Sequence, residues 1–176
     1  INTSAKPVIA SHSSVYNLTP HRRNLKDDQI KAIAMNGGVI QINFYPLFID
    51  SSAEAKFDKF LLAHLNEYDA LLKSGITDWI AGGILSTKYS EELKDIRPPL
   101  SHLIDHIEYV IKLVGVDYVG LGSDFDGIEF TPIGLDDVSQ YSLITKVLVE
   151  RGYSKKDVAK ILGGNILRVL KANEND

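Results

Sequence analysis

The sequence predicts a parallel α/β fold that carries its chemistry at one edge of the sheet. Two short apolar runs, at 8–10 and 117–121, have the composition of buried strands. Each is followed at once by residues that bind metals or move protons: His12 in the first case, Asp124 and Asp126 in the second. In parallel α/β enzymes such residues collect at the carboxyl ends of the strands.

The first part of the chain alternates between strand and helix patterns. After the strand at 8–10, Asn24 is placed to cap a helix at 26–36, which ends at a pair of glycines. A second apolar run at 39–44 predicts the next strand, and Pro46 stops it.

The segment 51–99 interrupts this alternation. Apolar residues at three- and four-residue spacing predict one long helix at 53–73, whereas glycines and prolines at 74–99 predict an irregular excursion or a lid above the scaffold. Regular elements then return, and we expect them in this order: a helix at 100–114, a strand at 117–121, and helices at 140–150, 155–162 and 165–172.

Strands that alternate with helices predict parallel pairing through crossover helices. Three such strands do not close a barrel, and an open sheet of this size leaves its edges exposed. The chain also starts close to its first strand and without an initiator Met. We therefore expect further strands to come from additional sequence or from a second chain.

Composition narrows the class of protein. A net charge of −4 and an isoelectric point near 5.7 give no support for nucleic-acid binding. The sequence has no apolar run long enough for a transmembrane segment, no visible signal peptide and no hydrophobic tail, and the compartment is left open. Because the chain has no cysteine, any metal must be held by His, Asp or Glu.

Two positions stand out as candidates for the chemistry. His12 directly follows a strand, where a neutral imidazole is a good zinc ligand; the alternative is a histidine that only forms hydrogen bonds there. Asp124 emerges after Gly120 and Gly122, where a carboxylate can bind a metal or accept a proton from an activated water. Its alternative role is to cap its own turn.

Other charged residues are open to two interpretations. Arg22 and Arg23 suit bidentate capture of a substrate carboxylate, or form an ordinary solvated basic loop. His64 shares the apolar stripe of its predicted helix, which favours a packed side chain. His102 and His106 lie four residues apart but lack the glutamate of a His-Glu-x-x-His zinc motif, so a metal site there is disfavoured.

At these residues the sequence resembles the membrane (renal) dipeptidase family, the M19 metallopeptidases. The resemblance keeps its order over nearly the whole chain apart from 51–99. It runs through the segments 7–14, 22–24 with 27–28, 39–45, 105–107, 119–127, 134–138 and 164–169.

This resemblance implies a TIM (β/α)8 barrel of the amidohydrolase-like, metallo-dependent hydrolase type, with two zinc ions and dipeptides as substrates. By the matching motifs, His12 is a zinc ligand, Asp124 handles the proton of the attacking water, and Arg23 holds the terminal carboxylate of the substrate. Residues 1–176 then form the C-terminal part of one barrel domain, about three strands of it, with an insert at about 51–99.

The sequence departs from the family pattern in ways that leave alternatives open. Three features of the family come from the first half of the barrel and are not in this sequence: an early His-x-Asp pair, a bridging glutamate and another zinc-binding histidine. In addition, Phe48 stands near the position at which some relatives carry a tyrosine. The expected partners are therefore a dipeptide, an N-terminal half of the same barrel, and a second copy in a possible homodimer. The alternatives are a non-catalytic relative and a metal-dependent amidohydrolase acting on a lactone or a non-peptide amide.

Overall fold

A three-stranded parallel sheet forms the scaffold of the computed structural model, which describes residues 4–174. The strands are β1 (Ile9–Ala10), β2 (Val39–Ile42) and β3 (Val119–Leu121), and they lie in the order β1-β2-β3. All three run parallel, as the sequence predicted.

The central strand β2 is the most enclosed part of the sheet. Val39 lies opposite Ile9 of β1, and Ile40 lies opposite Val119 of β3. All four residues of β2 are buried, which explains why this segment is a continuous apolar run rather than an alternating one. Within the described residues, β1 and β3 each pair with β2 alone, so both outer edges of the sheet are open.

Helices make both crossover connections. Helix α1 (Asp27–Met35) joins β1 to β2, as predicted. The predicted cap at Asn24 is wrong, because the N-cap position is Lys26 and the Asn24 side chain is buried in loop contacts instead. Between β2 and β3 lie α2 (Pro46–Ile49), α3 (Ala53–Ala63), α4 (Leu65–Lys73), α5 (Asp78–Lys88) and α6 (Leu100–Val114).

The segment 51–99 is more regular than its composition suggested. The long helix expected at 53–73 is two helices that meet at His64, and the stretch expected to be irregular contains α5 and a 3-10 turn at Glu92–Asp95. Helix α5 forms through Gly82 and Gly83 because Ala81 and Leu85 are fully buried on its inner face. Tertiary packing here outweighs the low helix propensity of glycine.

Three helices follow β3: α7 (Tyr141–Glu150), α8 (Lys155–Ala159) and α9 (Asn165–Glu174). The Ser154 side chain accepts a hydrogen bond from the Asp157 amide, which confirms the predicted N-cap of α8. A π-helical turn at Lys160–Gly164 links α8 to α9.

Two hydrophobic clusters stabilise these layers. The larger one lies between the sheet and the helices α1, α6 and α7, and the buried face of α6 is its centre. The smaller one lies under the segment 51–99, where Phe57, Phe60 and Leu85 pack with Phe130 from the loop after β3. The segment is thus attached to the loop that carries Asp124. None of the helices within 4–174 has the length and apolar character needed to cross a membrane.

The burial of α6 gives a direct stability test. Leu103 is 0% exposed, and its replacement by alanine removes apolar contacts from the main core. We expect Leu103→Ala to lower the free energy of unfolding by about 2–5 kcal/mol. The matched control is Leu62→Ala on α3, where leucine is 67% exposed and the expected change is within about 0.5 kcal/mol. Urea denaturation followed by circular dichroism measures both, and equal losses would contradict the assignment of the core.

Candidate active site

The carboxyl ends of the three strands bring polar side chains to one edge of the sheet. His12 follows β1, Asn43 follows β2 and Asp124 follows β3. The Asn43 amide Nδ2 donates to Asp124 Oδ2 at 3.1 Å, so the ends of β2 and β3 are in direct contact. The backbone continues the ladder beyond the strands, since Ser13 N donates to the Gln41 carbonyl at 3.0 Å.

His12 is held in a defined tautomer. Its Nε2 lies 2.8 Å from Nη2 of Arg23, and its Nδ1 lies 2.8 Å from the Ser11 hydroxyl. A guanidinium only donates, so Nε2 is the acceptor and Nδ1 carries the hydrogen that is donated to Ser11. The Nε2 lone pair, which Arg23 occupies in this structure, is the one that a metal would use, while the other ring nitrogen is fixed by a hydrogen bond.

Two aromatic rings position Arg23. The guanidinium lies 5.8 Å from the centroid of the Phe48 ring, and the His21 ring packs at a tilt of 33° against the same phenyl group with a centroid separation of 4.5 Å. The Arg23 amide donates to His21 Nδ1 at 3.2 Å. Burial lowers the pKa of His21, and the charges of Arg22 and Arg23 act in the same direction against that of Glu54. His21 therefore stays neutral and able to accept this bond.

Asp124 has an unusual backbone conformation. Among residues 4–174 it is the one non-glycine residue with a positive φ, at 60°. Such left-handed conformations cost free energy and occur often at functional sites. The Gly127 amide donates to the Asp124 carbonyl at 2.9 Å, and a side chain at 127 would collide with Asp124 Oδ1. The turn thus fixes the carboxylate of Asp124, whereas Asp126 lies exposed on its outer side.

Asn43 is a residue that the sequence analysis missed. It is 0% exposed, and besides its bond to Asp124 its Oδ1 accepts from the Tyr45 amide at 2.5 Å. Its carbonyl accepts from the Ser14 hydroxyl at 3.4 Å, which ties the loop after β1 to the end of β2. The signal was present in the sequence, because Asn43 is a polar residue at the end of an apolar run, as His12 is.

Helix α6 also holds the loop that carries His12. The Nδ1 atom of His106 on α6 accepts from the Val15 amide at 3.0 Å. Burial lowers the pKa of His106 to about 4, so the ring is neutral near pH 7. His106 is therefore a hydrogen-bond acceptor that holds this loop in place. His64 is a packed side chain as expected, with its ring stacked on Tyr89 at 3.8 Å.

The donor set fits part of a metal site. Within residues 4–174, no three His, Asp or Glu side chains lie close enough together to hold an ion. His12 presents a suitable Nε2 lone pair, and Asp124 presents a carboxylate at the same edge of the sheet. The chemistry of these two donors therefore fits part of a metal site.

Polar and charged side chains at the carboxyl ends of parallel strands mark the active-site edge in α/β enzymes. Residues 1–176 match the family described as membrane dipeptidase, peptidase family M19. The chain therefore belongs to the membrane dipeptidase family. Members of this family are TIM-barrel metallo-dependent hydrolases, which confirms the predicted fold class.

Individual relatives agree with this assignment. "Dipeptidase aclJ" of Aspergillus oryzae is 36% identical over 169 residues, which is 96% of this chain and 30% of that protein. An uncharacterised dipeptidase of Schizosaccharomyces pombe is 34% identical over 99% of this chain and 32% of its own length. The crystal structure of the probable dipeptidase PvdM from Pseudomonas aeruginosa superposes with a TM-score of 0.71 at 30% identity, covering 97% of this chain and 46% of that one.

The chain thus spans about a third of the length of the curated relatives it matches. It spans somewhat less than half of the solved chain of PvdM.

The neutral state of His106 predicts a pH dependence of stability. Its pKa is about 4 when folded and near 6.5 when unfolded, so its contribution is complete above pH 6.5 and is lost as pH falls toward 4. We expect this loss to be on the order of 3 kcal/mol. In His106→Gln the amide oxygen can still accept from Val15 without titrating, so the unfolding free energy should fall less steeply over this range.

Urea denaturation between pH 7 and 4 measures this difference. His102→Gln, on the same helix, is the control and should keep the wild-type slope. Parallel curves for the wild type and His106→Gln would contradict the assignment.

Proposed function

We propose that this chain is part of a zinc-dependent dipeptidase that hydrolyses the amide bond of dipeptides by attack of an activated water. One observation carries the proposal: two hydrogen-bonded pairs, His12–Arg23 and Asn43–Asp124, lie at the same edge of a parallel sheet. The membership of the chain in peptidase family M19 supports it.

In this proposal residues 1–176 are the C-terminal part of a single barrel domain, with an insert at about 51–99. The open edges of β1 and β3 are where the strands of an N-terminal half complete the barrel. His12 is one ligand of the two zinc ions, and the N-terminal half supplies the remaining ligands. When bound, the zinc ions lower the pKa of a water and polarise the scissile carbonyl.

Asp124 is the proton acceptor in this proposal. Its Oδ2 is held by Asn43, while the left-handed backbone and the close approach of Gly127 fix the direction of the carboxylate. A carboxylate fixed in this way removes the proton from the attacking water and later delivers it to the leaving amine. Asn43 acts through Asp124 and is a positioning residue.

Arg23 is the group that binds the terminal carboxylate of the dipeptide. The lone pair of His12 Nε2 accepts from Arg23 in this structure, and one lone pair cannot serve a metal and a guanidinium together. With His12 holding a metal, the Arg23 guanidinium would be released from Nε2, and beside Phe48 it would be free to form a bidentate pair with a carboxylate. That contact fixes the position of the scissile bond.

Removal of Arg23 tests the substrate class. In a complete protein that contains this sequence, we expect Arg23→Ala to raise KM for dipeptides by about 10- to 100-fold, because a charge-assisted pair is lost. Arg22→Ala is the matched control: it removes the same charge from the neighbouring position but keeps Arg23, which contacts His12 and Phe48, so KM should stay unchanged. Steady-state kinetics with dipeptides and with a lactone measure the effect. An unchanged KM for dipeptides would favour an amidohydrolase of another substrate class.

The partial donor set predicts that this chain is inactive alone. With zinc supplied, residues 1–176 should show no dipeptide hydrolysis above that of Asp124→Asn, because one described ligand from this chain cannot hold a zinc pair. The complete protein should be active and should lose its activity in the same substitution. Hydrolysis by the isolated chain at the rate of a full-length relative would contradict the proposal, and an inactive complete protein would favour a non-catalytic relative.

A further inference from the structure

A cleft of about 570 Å³ lies beside the loop that carries Asp124. One wall is the exposed face of α5, with Trp79, Ile80 and Ile84, and the other is the loop after β3, with Ile128. The volume is in the range of small-molecule sites, roughly 300–1,000 Å³. The cleft also includes Asp126, two residues from Asp124, so it borders the loop of the candidate active site.

The walls of the cleft are mostly apolar, but one side of it is acidic. Asp126 and Glu129 both line it. Its one lining cation, Lys88, is already bound to Glu67 at 2.7 Å on the neighbouring helix α4. The cleft therefore offers apolar walls together with two carboxylates.

Glu129 has unused hydrogen-bonding capacity. Burial, and after it the nearby carboxylate of Glu129, raises the pKa of Tyr45 far above its ordinary value, so the phenol stays neutral beside Glu129. The Glu129 Oε2 atom is buried and has no hydrogen-bond partner among the described residues. A buried carboxylate oxygen without a donor is costly, and a bound cation relieves that cost.

We propose that this cleft is a side-chain subsite for a long aliphatic side chain with a cationic end, such as that of lysine. This inference rests on the proposed dipeptidase function and names its preferred substrates. The methylene stem packs between Ile84 and Ile128, the ammonium group bonds to Glu129, and the indole face of Trp79 adds a cation–π contact. A glutamate side chain meets like charge in the same place, and an alanine leaves the cleft empty.

The test compares substrates that differ only in charge or length. Dipeptides with lysine, norleucine, glutamate or alanine beside a constant alanine, in both orders, are assayed with the complete protein. In one of the two orders we expect kcat/KM for lysine to exceed that for norleucine by about tenfold, with glutamate below alanine. Trp79→Ala should lower kcat/KM for lysine and norleucine relative to alanine.

Two matched variants separate a subsite from a structural role. Glu129→Gln should bring the lysine-to-norleucine ratio close to one, because the amide has nearly the shape of the carboxylate without its charge. Glu91→Gln, at an exposed position paired with Lys94, should keep the wild-type ratio. An equal fall for every substrate in Glu129→Gln would assign Glu129 to support of Tyr45 and overturn the subsite.

The remaining outcomes are also decisive. A wild-type ratio near one in both orders would overturn the cationic preference, and Trp79→Ala without effect on long side chains would overturn the cleft as a binding site. In both cases alanine dipeptides are still hydrolysed, so the proposed function stands. A wild type that hydrolyses no dipeptide would overturn the proposed function itself, and the subsite with it.

Discussion

The buried central strand β2 is the constraint on which the rest of the structure depends. It pairs with β1 on one side and β3 on the other, and parallel pairing directs all three carboxyl ends to one edge. Asn43, the residue that follows β2, then contacts both neighbours: its carbonyl accepts from Ser14 and its amide donates to Asp124. The geometry of the site is therefore a consequence of sheet register rather than of loop contacts alone.

The sequence predicted the three strands and the residues at their carboxyl ends, but not the contacts that those residues form. Short apolar runs bounded by glycine or proline locate buried strands reliably, and residues that follow such runs share an edge, which was sufficient to select His12 and Asp124. The role of Asn43 and the neutral state of His106 depend on contacts between residues far apart in the chain. The helix through Gly82 and Gly83 was missed because burial of Ala81 and Leu85 outweighs local propensity.

The open edges of the sheet and the small number of metal-binding side chains at its carboxyl edge have the same explanation in our proposal. Among residues 4–174 both outer strands lack a second partner, and no three His, Asp or Glu side chains lie together, which fits the proposal that the chain is a portion of a larger barrel. The chain spans about a third of its curated relatives, which agrees with that interpretation. The segment 51–99 adds to this portion a wall beside the active-site loop, through packing of Phe57 and Phe60 with Phe130.

We propose above all that His12 is a metal ligand; in this structure Arg23 occupies its Nε2 lone pair. The most direct test is a crystal structure of the complete protein with zinc, with the ions located by anomalous scattering at the zinc edge. The account predicts a zinc ion about 2.0–2.1 Å from His12 Nε2, with the Arg23 guanidinium moved off that nitrogen. Zinc bound elsewhere, with Arg23 still within hydrogen-bond distance of His12 Nε2, would contradict it.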